Sequence, residues 1–336
     1  MTPHTAVVAA FVVLGLSIGQ AAVRQAVEIR QDPAKHQYVV SVGGKHFTTY
    51  SYGDEFLDKP VFYPVVSPNG ARVNREYPMV ERVPGESADH PHHQSLFFTY
   101  DEVNGTNFWN PERTGRRIQQ REARVQGDTL VAVLDWKAKD GSVVLEETKR
   151  VRFGGAMDAF WLDHDSVLLA RGTPVAMGDT KEGAFGLRLN DTLKEAGGSG
   201  RYINAEGLET AANVWGKRSP WVAIRGAVKD REGTKPVTVA IFAHPSSLNS
   251  PPYWHARDYG LFAVNPFARR GYDPSAPERI TRLDTGQSVH VRFRLVVYAG
   301  MVDKARLDRD FASFTAGGRQ LREYAWRAGT PGRHVN

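Results

Sequence analysis

The chain has no cysteine in its 336 residues. Disulfide staples, thiolate nucleophiles, zinc–thiolate sites and a lipid anchor on cysteine are therefore excluded. Several signatures are also missing. There is no Gly-x-Gly-x-x-Gly turn or P-loop to cradle phosphates, and no His-Glu-x-x-His ligand spacing. No Gly-x-Ser-x-Gly elbow presents a serine nucleophile. After the first two dozen residues, no apolar run approaches the ~20 residues a membrane helix needs. Charge of one sign is scarce as well: 43 Lys and Arg against 37 Asp and Glu leave +6. The densest basic stretch, Arg113 to Arg124, is interrupted by Glu122 and reads as a solvated face. No recognition motif accompanies it, so no nucleic-acid partner is expected.

The amino terminus carries the one long apolar run, Ala6 to Ile18, followed by small residues at Gly19, Ala21 and Ala22. This pattern predicts a signal peptide over residues 1–22 and a periplasmic or secreted protein, although no Lys or Arg precedes the run. Residues 23–336 then form one domain that no longer meets the membrane. That length can bury a large core.

Recurrent short apolar runs separated by turn residues predict a mostly β fold, a large antiparallel sandwich with long loops. Tyr38 to Tyr50 reads as a hairpin about Gly43-Gly44. Thr129–Trp136, Val143–Phe153, Phe160–Leu169, Val237–Ala243 and Val289–Tyr298 are further strands. A helix is expected over 302–314. The segments Asp54–Asn74, Gly197–Trp221 and Pro245–Pro274 read as long loops, where function tends to sit on a rigid scaffold.

The densest chemistry is Asp89-His90-Pro91-His92-His93, three of the eleven histidines within four residues. Imidazole titrates near neutrality and is the commonest metal ligand. In an extended segment His90 and His92 would share one side. They could then hold a metal or serve as general acid and base, whereas a purely local role would have them satisfy loop backbone. Asp179-Thr180-Lys181-Glu182-Gly183, with Arg188 soon after, offers a carboxylate partner in Glu182 and binding groups in Lys181 and Arg188. In Asp163-His164-Asp165, alternation sets the histidine opposite its two acids. Tyr253-Trp254-His255-Ala256-Arg257-Asp258-Tyr259-Gly260 and Asn265 combine flat rings with groups that hydrogen-bond hydroxyls. Trp254, His255, Arg257, Asp258, Asn265 and Asp89 are therefore candidates for substrate binding; core packing is the alternative for the rings.

Lys59-Pro60 with Tyr63-Pro64, the Asp89–His93 run, Asn104-Gly105 with Phe108-Trp109, Gly178 to Gly183, and Tyr253 through Phe267 resemble, in order, the motifs of a bacterial domain of unknown function. It is called the PmoA family, or methane oxygenase PmoA-like. The likeness spans roughly residues 30 to 300 and implies an association with carbohydrate metabolism. The name does not imply methane oxidation here, because a membrane monooxygenase subunit needs several spanning helices. The β-rich body also resembles, loosely, the supersandwich of aldose mutarotases. That likeness implies that His92 or His90 protonates a ring oxygen while Glu182 deprotonates the anomeric hydroxyl.

Three functions stay open on these grounds. The first is an exported carbohydrate-active enzyme using acid–base catalysis by His90, His92, His93 and Glu182 on a sugar or oligosaccharide, in hydrolysis, elimination or epimerisation. The second is a metal-dependent hydrolase or oxygenase with ligands among His90, His92, His164 and His255; no cofactor is otherwise required, and a divalent metal is the one that fits. The third is a carbohydrate-binding protein without turnover.

Overall fold

The computed structural model describes residues 24–53, 57–81, 83–111 and 117–316. The expected signal peptide lies outside them, as do Arg113 and Arg116. Two eight-stranded antiparallel sheets and one two-stranded pair account for the strands. The first sheet runs, in spatial order, Val27–Asp32, Gln37–Val42, Lys45–Ser51, Val61–Val65, Leu96–Tyr100, Gly183–Arg188, Leu261–Asn265 and Tyr253–Ala256. The second runs Arg201–Asn204, Trp221–Asp230, Gly233–Ala243, Ser288–Tyr298, Ala159–Leu169, Val143–Gly155, Thr129–Lys137 and Ile118–Gln126.

Period-two patterning explains how the sheets face each other. From Val143 to Phe153 the buried positions alternate, Leu145, Glu147, Lys149, Val151 and Phe153, while Arg150 and Arg152 point the other way. Inner side chains of both sheets meet in one core. Phe47 packs edge-on against Phe160 at 5.5 Å, Phe98 lies 6.1 Å from Trp136, and Phe185 stacks on Phe293 at 5.5 Å. The sandwich expected from sequence is the architecture found. The predicted hairpin turns at Gly43 and Gly44, both with positive φ (59° and 74°), the geometry that matches strand twist.

The helix forms over Lys304–Ala316, two residues later than expected. It lays Leu307 and Phe314 on the outer face of the second sheet, against Trp221 and Phe242. Among the described residues no helix is long and apolar enough to cross a membrane.

All three stretches expected to be loops carry regular structure: Asp54–Asn74 includes the strand Val61–Val65, and Gly197–Trp221 includes Arg201–Asn204 and a short helix at Ala211–Val214. Pro245–Pro274 contains the hairpin of Tyr253–Ala256 and Leu261–Asn265, with Trp254 opposite Val264. Its Pro, Asn and aromatic content conceals two short strands that are buried on both faces and so lack alternation.

Candidate functional site

The outer face of the first sheet carries an apolar patch of Phe97, Trp109, Leu57, Val61, Leu261 and Ala263. Polar clusters flank it at both ends. Their separation follows from the strand Gly183–Arg188: Arg188 closes it at one end and Glu182 precedes it at the other. Six residues at ~3.3 Å each set their backbones about 20 Å apart.

At the Arg188 end, Arg75 and Arg188 are both buried. Backbone bonds fix them as neighbours: the Arg75 amide donates to the Arg188 carbonyl (3.0 Å), and the Arg188 amide donates to the Ser95 carbonyl (2.9 Å). Both guanidinium groups donate to Asp89 Oδ1 at 2.6 Å. Arg75 also donates to the carbonyls of Tyr77 (3.0 Å) and Asp89 (2.8 Å). Asp89 Oδ2 contacts His90 Nδ1. Hydrogen bonding from His90 and the two arginines holds the Asp89 carboxyl well below the usual carboxylate range, against the desolvation that raises it.

The histidine segment is a turn and not the extended strand considered from sequence. The His93 amide donates to the His90 carbonyl at 3.0 Å, and His90 sits at φ 46°. All three rings therefore converge. His90 stacks on His93 at 4.9 Å and on Tyr259 at 5.1 Å, and His92 meets His93 edge-on at 4.4 Å. Lys59 lies beneath them, buried, with its ammonium donating to the His92 carbonyl at 3.0 Å. Burial pushes Lys59 down to about 8. Burial first, then the charge of Lys59, pushes His92 down to about 3, and His93 is lowered well below the usual value by burial. At neutral pH these imidazoles are uncharged hydrogen-bonding groups beside fixed cations.

At the other end, Glu182 contacts Lys181 and sets Oε2 3.8 Å from His255 Nδ1. Among the described residues that nitrogen is buried without a partner at hydrogen-bond distance, while the ring as a whole also interacts with the Lys181 backbone. Burial lowers His255 to about 4 while the Glu182 charge pulls it up. Asp101 stands nearby, accepting from Thr180 Oγ1 at 3.0 Å, with its carboxyl raised by burial. Tyr272 donates to the Lys181 carbonyl at 2.8 Å and lies 6.2 Å from the His255 ring. Trp109 links the two ends, with its ring 5.4 Å from His93 and 6.4 Å from His255.

Several sequence expectations are corrected here. Glu182 contacts Lys181 and faces His255, and among the described residues it makes no hydrogen bond or ion pair with His90 or His92. Trp254 is no sugar platform: it is fully buried and its indole N–H donates to the Ser219 carbonyl at 2.9 Å. Asn265 is buried and structural, donating to the Thr180 carbonyl (3.0 Å) and accepting from the amides of Phe267 and Ala268. His164 does face away from Asp163 and Asp165, but it points into the sandwich core between Phe98 and Phe185, remote from His90, His92 and His255. There it contacts Ser166 at 2.9 Å, and Ser166 donates to Glu147 at 2.6 Å. Among the described residues no group of three or more His, Asp or Glu could hold a metal ion. Arg257 lies 5.6 Å from the Tyr259 ring, and Asp258 is exposed at the same rim.

Lys59, Arg75, Asp101 and Tyr272 were not identified as site residues from sequence. Lys59 stands in the Lys59-Pro60 motif with no role attached. Arg75 follows Arg72 by three residues, with no local signal that it is the buried one of the two.

A family model described as a family of unknown function (DUF6807) matches residues 37–312. No curated protein matches significantly. Among solved structures, a putative aldose 1-epimerase from Klebsiella pneumoniae is similar over 89% of this chain and 93% of its own, at 9% identity and TM-score 0.38. A putative aldose 1-epimerase from Escherichia coli K12 is similar over 82% and 99%, at 12% identity and TM-score 0.30. A beta-arabinopyranosidase is similar over 83% of this chain, which spans only 40% of that enzyme, at 10% identity and TM-score 0.33. Likeness of this degree carries no assignment of activity.

Proposed function

Because the chain belongs to the DUF6807 family of unknown function, we propose a function from the site itself: an exported, carbohydrate-active enzyme that moves protons with Glu182 and His255. The observation that carries this reading is the buried His255 Nδ1 facing the Glu182 carboxylate at 3.8 Å. A buried imidazole nitrogen that faces a carboxylate is placed to exchange a proton with it. Glu182, partly exposed, is the group that takes a proton from a substrate hydroxyl or ring carbon. Neutral His255 stands behind it as relay and positioning group.

The opposite end supplies binding. Tyr259, half-buried and stacked on His90, closes this end, and Asp89, His90, Arg257 and Asp258 are the groups that hydrogen-bond hydroxyls. A polyhydroxylated ring substrate matches that set of polar groups beside the apolar patch. The motif likeness to the PmoA family points the same way, through that family's association with sugar metabolism, and the leader-like amino terminus supports export.

The test is proton NMR of a panel of aldoses, ketoses and glycosides incubated with the protein, followed by a His255→Asn variant checked for unchanged Tm. Product formation that falls at least about 10²-fold in the variant is expected. Saturable binding with no product from any sugar would make the protein a binder and overturn the enzymatic reading.

A further inference from the structure

A cavity of about 910 Å³ lies far from the histidine site, on the outer face of the second sheet beside the C-terminal helix. Six arginines and three aspartates line it. The arrangement follows from strand register. Arg150 and Arg292 flank Asp165 on the strands to either side, and Arg152 and Arg294 flank Asp163 one rung along. Period two sets all six side chains on the outward face.

Most of these cations are already matched. Arg294 donates to Asp163 Oδ2 at 2.8 Å, Arg152 to Asp128 at 2.9 Å, and Arg292 Nε lies 3.2 Å from Asp165. Arg294 is further held between aromatic faces, 4.3 Å from the Trp161 centroid and 4.6 Å from that of Phe314. Asp165 turns its other oxygen to His290 at 2.6 Å. Arg150 is thereby left half-buried in the groove with no acid of its own among the described residues.

We propose that this groove is a second ligand site and that it takes an acidic sugar, with Arg150 receiving its carboxylate. A guanidinium binds a carboxylate through paired N–H donors. The surrounding aspartates supply acceptors for hydroxyl groups, and they disfavour a densely charged strand such as a polyphosphate or nucleic acid. The volume suits a ligand of a few sugar rings. The site is independent of the Glu182–His255 pair, so either assignment can fail alone.

Titration calorimetry of the full chain with trigalacturonate, and with its fully methyl-esterified neutral form, tests this. Saturable binding of the acid is expected. It should weaken at high salt and weaken about tenfold or more on esterification or in Arg150→Ala. Arg150→Lys should recover part of the loss. Equal binding of acid and ester, unaltered binding by Arg150→Ala, or no saturable binding by the full chain, as when another segment of the protein fills the groove, would overturn it.

Discussion

Arg75→Ala is expected to lower folding stability by about 2–3 kcal/mol, because it removes charged hydrogen bonds to two carbonyls and to Asp89, whose carboxylate is 40% exposed and keeps Arg188. Arg75 is fully buried and ties together, through Tyr77, Ser87 and Asp89, the connection between the strands Val61–Val65 and Leu96–Tyr100. Removing it strips Asp89 of one of two cations and leaves the Tyr77 and Asp89 carbonyls without those donors. Ser87 remains latched to Asp191, through its amide at 2.6 Å and its hydroxyl at 3.0 Å, so the loop keeps one anchor. Arg257→Ala, at a partly exposed rim position, serves as the control and should cost well under about 1 kcal/mol. Urea unfolding of both variants checks this; a loss below about 1 kcal/mol for Arg75→Ala would show that the cluster does not hold the loop.

Acid should unfold the protein early. His92, His244 and His255 are lowered to about 3, 4 and 4, in each case chiefly by burial. His93 and His164 are lowered well below the usual value by burial as well. The unfolded chain binds protons at these residues as pH falls through ~6.5, whereas the folded chain refuses them until near 4 or below. The folded state therefore binds fewer protons across that window, and stability falls as pH falls. Each histidine contributes up to about 1.4 kcal/mol per pH unit. Asp89 adds a loss at lower pH: its folded value is depressed, so its stabilisation is present above ~4 and disappears as the carboxyl protonates. Denaturant midpoints measured from pH 7.5 to 4.5 should drop steeply below pH 6.5. A flat profile across that range would mean that these imidazoles accept protons in the folded state.

The sandwich was legible because its long strands alternate: in Val143–Gly155 and Ser288–Tyr298 the polar and apolar positions separate two faces. Short strands with two covered faces were not, and Tyr253–Ala256 with Leu261–Asn265 read as loop for that reason. The same cause misplaced Trp254 and Asn265 as ligand groups, since a buried indole and a buried amide are spelled like exposed ones. The histidine run was visible as composition, but its turn was not. His90 adopts a left-handed backbone conformation more usual for glycine or asparagine, which no local residue announces. Facing Glu182 with His255 needed the sheet order, because the strand that Glu182 precedes, Gly183–Arg188, and the strand that holds His255 lie on either side of Leu261–Asn265.

The central claim is that Glu182 transfers the proton. Glu182→Gln keeps the side chain's size and hydrogen-bonding reach while removing its basicity, and its partial exposure makes the change tolerable to the fold. The decisive measurement is the turnover rate of this variant beside the unaltered protein, on the first sugar found to react. The account predicts a fall of at least about 10²-fold with an unchanged Tm. A rate within about twofold of the unaltered protein would contradict it and remove Glu182 from the chemistry.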